Sequence, residues 1–291
     1  QKVEISVEKQ DAENGSTIAG AEFGLYAKED IKAGGKVIVK ADEQLCTAVT
    51  GEDGTAIFEQ NLPFGSYYIK ELQAPDGFVS SDEIIEVTVS YQGQDVEVVR
   101  LKEIFKNQPT TVEFRKSDLT TGVELDGATL TVLDKDGNEI DKWTSVKGEP
   151  HIIKRLHVGE TYILREEFAP YGYLKAEEVE FTITDTAEIQ KVEMKDDVPI
   201  GRIIINKKGE FLSEVSWNDM VAGAMDSIWG YVTGSLKDVT FEIYAREDIK
   251  AADGESDDYY KKDELVATIK TDELGIARTD DLPLGKYYVV E

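Results

Sequence analysis

The sequence predicts an all-β protein built as tandem Ig-like β-sandwiches, and three observations predict it. Short runs that alternate apolar and polar residues recur along the 291-residue chain. Turn signals such as Glu52-Asp53-Gly54, Asp136-Gly137 and Glu273-Leu274-Gly275 separate those runs. Whole segments also return in the same order, which is how a repeat architecture shows itself. Leu25-Tyr26-Ala27-Lys28-Glu29-Asp30-Ile31-Lys32-Ala33 reappears as Ile243-Tyr244-Ala245-Arg246-Glu247-Asp248-Ile249-Lys250-Ala251.

Three repeats are predicted: residues 1–108, 109–199 and 200–291, with boundaries at Gln108-Pro109 and Val198-Pro199. Proline suits a boundary because it cannot donate to a sheet ladder. Each repeat opens on a strand with a lysine on its apolar face. Ile5, Val7 and Lys9 share one face, as do Val112, Phe114 and Lys116, and Ile203, Ile205 and Lys207. A later strand follows Leu62-Pro63-Phe64-Gly65, Leu156-His157-Val158-Gly159 or Leu282-Pro283-Leu284-Gly285. On it a carboxylate is aimed inward behind two large side chains: Tyr67, Ile69 and Glu71; Tyr162, Leu164 and Glu166; Tyr287, Val289 and Glu291. The last strand of the first repeat brings Asn107 onto the face of Phe105. In the second, Asp196 aligns with Val192 and Met194, and Asp197 is the alternative if proline spacing sets the register. The third repeat is expected to stop before its last strands, leaving Lys207 and Glu291 unlinked.

A lone buried carboxylate or ammonium is costly, so each inward Glu needs a partner. Lysine, glutamate and asparagine in one dry core form a reactive set. Burial disfavours both charged forms, a neutral amine is a nucleophile, and a protonated Glu can polarise the side-chain carbonyl it bonds. Held at attack distance, the amine adds without the entropy cost of an encounter. Ammonia would leave from Asn107, or water from Asp196. The rival reading is a non-covalent buried ion pair.

The motif Tyr67-x-Ile69-x-Glu71-x-x-Ala74-Pro75-x-Gly77-Phe78, its second copy from Tyr162 to Tyr173, the upstream Val7-x-Lys9-x-Asp11 and the terminal Asn107 resemble the Cna-B-type (SpaA-like, prealbumin-like) domains. Such domains build stalks of Gram-positive surface adhesins and pilins. The resemblance covers nearly the whole chain. It implies isopeptide bonds made by Lys9, Asn107 and catalytic Glu71, then by Lys116, Asp196 and catalytic Glu166. In the third repeat Gly209 replaces the aspartate found at Asp11 and Asp118. The implied protein is an extracellular stalk segment, anchored to the cell wall through a part outside this chain, with no enzyme activity beyond one turnover on itself. A host-ligand-binding adhesin module or a pilus subunit is the alternative.

Composition narrows the partners. With 32 basic and 59 acidic residues the net charge is −27, which repels nucleic acid and anionic membranes. No signal peptide or long apolar span is present, so the chain reads as a piece of something longer without a membrane segment of its own. Cys46, the single cysteine, is expected as a small buried residue rather than a reactive thiol. An insertion at about 210–236 carries Trp217, Val221, Met225, Ile228, Trp229 and Val232 at helical spacing. It packs on its own or the neighbouring repeat, or presents Trp217 and Trp229 to a partner such as a host extracellular-matrix protein or glycan. Asp134-Lys135-Asp136-Gly137-Asn138 reads as a hairpin turn rather than a calcium loop, because its glycine is misplaced and no closing Glu follows. His151 and His157 lack neighbouring ligands, and neither a metal nor a cofactor is expected.

Overall fold

The computed structural model describes residues 1–58, 61–212 and 231–291, and among them every regular element is a strand. The first repeat contributes β1 (Lys2–Asp11), β2 (Glu22–Ala27), β3 (Ile31–Ala33), β4 (Lys36–Val39), β5 (Gln44–Val49), β6 (Thr55–Phe58), β7 (Gly65–Gln73), β8 (Ile84–Val89) and β9 (Val98–Asn107). The second contributes β10 (Thr111–Asp118), β11 (Thr129–Leu133), β12 (Glu139–Thr144), β13 (His151–Lys154), β14 (Thr161–Phe168), β15 (Val179–Thr182) and β16 (Gln190–Asp196). The third contributes β17 (Ile200–Gly201), β18 (Ile204–Asn206), β19 (Lys208–Leu212), β20 (Tyr231–Ser235), β21 (Thr240–Ala245), β22 (Leu265–Lys270), β23 (Ile276–Arg278), β24 (Leu282–Pro283) and β25 (Tyr287–Val290).

One plan organises the repeats. In the first, a sheet ordered β6-β1-β9 faces a sheet ordered β5-β2-β7-β8, and the second repeats this as β13-β10-β16 and β12-β11-β14-β15. In the third, β22-β21-β25 form one sheet, and β18 pairs with β23, β17 with β24 and β19 with β20. Strict alternation drives the packing. β1 buries Val3, Ile5, Val7, Lys9 and Asp11 and turns the residues between them outward. Val3, Ile5 and Val7 meet Phe23, Leu25, Tyr67, Ile69 and Val87 of the opposite sheet in one core, where Phe23 and Phe105 lie 4.8 Å apart between ring centroids. Cys46 is half-buried against that core, and burial pushes its thiol pKa up.

The first and last strands of the first repeat are neighbours and run parallel, with Lys9 opposite Phe105 and Asp11 opposite Asn107. This joins the two ends of the repeat side by side. It places the end of β1 against the end of β9, and so gives the inward lysine a neighbour almost a hundred residues away in sequence.

By compactness the chain divides into two units. One holds residues 1–116, 128–168 and 177–194; the other holds 117–127, 169–176 and 195–291. Within the former, the passage from β9 to β10 is only Gln108, Pro109 and Thr110, and the last two are buried. Thr110 gives its N–H to the Gly77 carbonyl at 3.0 Å and its hydroxyl to the Leu156 carbonyl at 2.6 Å.

The insertion differs from expectation at its described ends. β19 and β20 pair antiparallel with Phe211 opposite Val232, so Val232 belongs to a strand and not to a helix. Phe211, Leu212, Tyr231 and Val232 are the β-branched, aromatic and apolar residues that a pleated pair favours. The rest of the helical reading, with Trp217 and Trp229, lies outside the described residues. The Asp134 loop is the hairpin between β11 and β12, with Asp134 Oδ1 accepting the N–H groups of Asp136 and Asn138.

Candidate functional site

β1, β7 and β9 bring Lys9, Glu71 and Asn107 together in the first repeat. Lys9 Nζ lies 2.7 Å from Glu71 Oε1, and the two side chains are 0% and 1% exposed. The ammonium donates to Asn107 Oδ1, while Asn107 Nδ2 donates to Glu71 Oε1 at 3.0 Å and Oε2 at 2.8 Å. The glutamate therefore faces the amide nitrogen, where sequence reasoning expected it on the carbonyl oxygen. Phe23 and Phe105 wall the amine in, with ring centroids 5.4 and 5.9 Å from Nζ. Burial holds the Lys9 pKa below its ordinary value, and Glu71 opposes that only in part.

Backbone features fix the three side chains. Lys9 N–H donates to the Gly54 carbonyl at 2.8 Å, and Ala12 N–H donates to the Asn107 carbonyl at 3.0 Å. The β2–β7 register shifts just beyond Glu71, where Phe23 faces Glu71 but Glu22 faces Gln73. Leu72 is thus the extra residue of a bulge, a device that re-aims a neighbouring side chain. The β11–β14 pair shifts at the equivalent place, after Glu166. No local residue pattern announces either bulge.

In the second repeat Lys116 Nζ lies 3.0 Å from Glu166 Oε1 with both side chains at 0% exposure. Asp196 is buried and Asp197 is exposed. The backbone of Asp196 makes the same hydrogen bond that the backbone of Asn107 makes in the first repeat. Its carbonyl accepts Leu119 N–H at 2.8 Å, three residues after the lysine, as the Asn107 carbonyl accepts Ala12 N–H. The next residues match as well: Val79 N–H bonds the Gln108 carbonyl and Leu174 N–H bonds the Asp197 carbonyl, both at 2.9 Å. In the third repeat Lys207 Nζ meets Glu291 Oε2 at 2.5 Å, but their side chains are 30% and 52% exposed. That pair is wet, unlike the other two.

Two buried aspartates went without a role in sequence reasoning. Asp11 Oδ1 accepts Glu13 N–H at 2.7 Å and its Oδ2 accepts Arg155 Nη2 at 2.7 Å. Asp118 Oδ1 accepts the N–H groups of Thr120 and Thr121 at 2.7 and 2.8 Å, and its Oδ2 accepts the Tyr173 hydroxyl at 2.8 Å. Burial alone would raise both carboxyl pKa values, yet these hydrogen bonds outweigh it and hold them below the ordinary value. The only sequence signal is the Lys-x-Asp spacing, which sets lysine and aspartate on one strand face. Among the described residues no cluster of His, Cys, Asp and Glu is arranged to hold a metal ion.

A family model described as the SpaA prealbumin-like fold domain matches three times, over residues 3–103, 110–198 and 231–291. No curated relative matches the sequence. Among solved structures, the Bacillus anthracis TIE protein aligns at TM-score 0.50 and 24% identity over 98% of this chain and 44% of that one. A streptococcal ancillary pilin aligns at TM-score 0.29 and 23% identity, over 68% and 62% of the two chains. Shaft pilin SpaA of Lactobacillus rhamnosus GG aligns at TM-score 0.30 and 15% identity, over 68% and 98%. The chain spans less than two thirds of the length of the first two.

Proposed function

Because the chain belongs to the family of SpaA prealbumin-like fold domains, we propose that it is a stalk segment of a Gram-positive cell-surface protein, closed by isopeptide bonds from Lys9 to Asn107 and from Lys116 to Asp196. The observation that carries this reading is the dry Lys9–Glu71–Asn107 cluster, whose amine, carboxylate and carboxamide are all within hydrogen-bonding reach.

The chemistry is balanced within those groups. Glu71 takes a proton from Lys9 Nζ, and the freed lone pair attacks Asn107 Cγ. Glu71, already beside Nδ2, returns the proton as the Cγ–Nδ2 bond breaks. The second Nζ proton follows through Glu71, so the nitrogen departs as ammonium, one Nζ–Cγ amide remains and Glu71 is again a carboxylate. In the second repeat Lys116 attacks Asp196 Cγ with Glu166 in the same role, and one water departs. Each site reacts once on its own chain, so this is self-modification and not enzyme turnover.

The purpose is mechanical. Tension arriving along β1 would cross from Lys9 to Asn107 and pass on through Gln108 into β10, and residues 10–106 would carry no load. The surplus of acidic residues suits a solvated extracellular segment. Intact-mass analysis of the folded chain tests the reading. The expected deficit is one ammonia plus one water, with Glu71→Ala and Glu166→Ala each restoring one loss. A mass equal to the unmodified sequence overturns it.

A further inference from the structure

The first two repeats solve one problem in two ways. Both bury an aspartate two residues after the reactive lysine, and both give its Oδ1 to N–H groups of the following turn. In the second repeat the Oδ2 is satisfied from within by Tyr173, seven residues after Glu166. Seven residues after Glu71 stands Phe78, which has no hydroxyl. The two positions are equivalent in structure, since Phe78 N–H bonds the Pro75 carbonyl at 3.1 Å and Tyr173 N–H bonds the Pro170 carbonyl at 3.2 Å.

In the first repeat the missing donor comes from the second. The guanidinium of Arg155 lies over the Phe78 ring, 5.6 Å from its centroid, and reaches Asp11 Oδ2 across a gap of 144 residues in sequence. Its backbone is held in place for this. Arg155 adopts φ 64, and its N–H donates to the Thr110 carbonyl at 2.9 Å. A Cβ added to Gly77 would come within 2.7 Å of the Arg155 carbonyl oxygen, so the close approach needs glycine there. Lys154 adds an ion pair to Glu13 at 2.6 Å, on the turn that follows Asp11.

We propose that Arg155 is a positioning residue, lent by the second repeat to complete the ligation site of the first in the place that Tyr173 fills in the second. Asp11 faces Asn107 in the parallel ladder, and the turn it anchors presents Ala12 N–H to the Asn107 carbonyl. Removing Arg155 leaves a buried carboxylate oxygen without its donor. The turn then loosens, and with it the placement of the acceptor carbon. Ligation in the first repeat thus depends on the docked second repeat, whereas the aspartate of the second repeat is served by its own tyrosine. This rests on the isopeptide reading above.

The test follows the cross-linked peptides Lys9–Asn107 and Lys116–Asp196 over time during cell-free synthesis of the full chain. Arg155→Ala is expected to slow the first cross-link about ten- to a hundredfold and to leave the second at the wild-type rate, which doubles as a folding control. Adding Phe78→Tyr to Arg155→Ala is expected to restore the first. Three outcomes overturn the proposal: an unchanged first cross-link in Arg155→Ala, equal slowing of both, or no rescue by Phe78→Tyr. A wild-type chain lacking both cross-links overturns the isopeptide reading itself and this inference with it.

Discussion

Lys9 is a cation placed where water does not reach, at 0% exposure. Leaving such a charge unpaired costs several kcal/mol, which is why Glu71 and Asn107 must both be present around it. Its lowered pKa has a consequence for the unligated protein. Between that lowered value and the ordinary 10.5, the unfolded chain binds a proton that the folded chain does not. Stability is therefore gained as pH rises through this window and lost as pH falls through the folded value. In Asn107→Ala, which has no acceptor, thermal melts should show Tm increasing as pH is raised from neutrality toward the lysine range. The increase should shrink in Lys9→Met/Asn107→Ala. A slope identical in the two variants would assign the effect to other groups.

At the scale of single elements, small features outside the Lys9–Glu71–Asn107 cluster hold the strands in register. Gly54 and Gly275 occupy the same turn in the first and third repeats, with φ values of 74 and 71, and each carbonyl accepts the N–H of the repeat's lysine at 2.8 Å. A Cβ on Gly54 would stand 2.5 Å from Thr17 Cβ, and one on Gly275 would stand 2.5 Å from the Lys207 carbonyl oxygen. Gly137, at φ 83, has nothing within 4 Å of its would-be Cβ. Chemical denaturation should find Gly54→Ala costing about 2–3 kcal/mol, from backbone strain plus the clash, and Gly137→Ala about 1 kcal/mol from strain alone. The repeated Leu-Pro-x-Gly segment has a similar duty. The Tyr67 hydroxyl donates to the Pro63 carbonyl and Tyr287 to the Pro283 carbonyl, both at 2.6 Å. In the second repeat, where His157 replaces the proline, its backbone N–H donates to the Tyr162 hydroxyl at 3.0 Å instead.

For the molecule as a whole, the proposed bonds change what unfolding can release. A link between residues 98 apart restricts the unfolded chain much as a disulfide closing a loop of about 100 residues does, stabilising by about 4–5 kcal/mol. Glu71→Ala should accordingly lower the denaturation midpoint of the first repeat. Single-molecule pulling reads the same property directly. The wild-type chain should show no extension step from the first repeat, whereas Glu71→Ala should release roughly 300 Å as that stretch is drawn out. A full-length step in the wild type would remove the load-bearing role. The net charge of −27 acts at this scale too, through solubility and repulsion of anionic partners.

Much was legible in the residues themselves. Alternation with period two, turn glycines and recurring segments establish strands, repeats and the inward faces of Lys9, Glu71 and Asn107, because strand geometry makes face a function of spacing alone. The insertion shows the limit of that reasoning, since the helical spacing of its apolar residues runs through Val232, which pairs with Phe211 in a strand. What only the tertiary structure decided depends on distance between elements. The parallel β1–β9 ladder, the bulges beyond Glu71 and Glu166, and the reach of Arg155 to Asp11 join residues whose separation along the chain carries no trace of their meeting. Periodicity reports which way a side chain points; packing alone selects the group it points at.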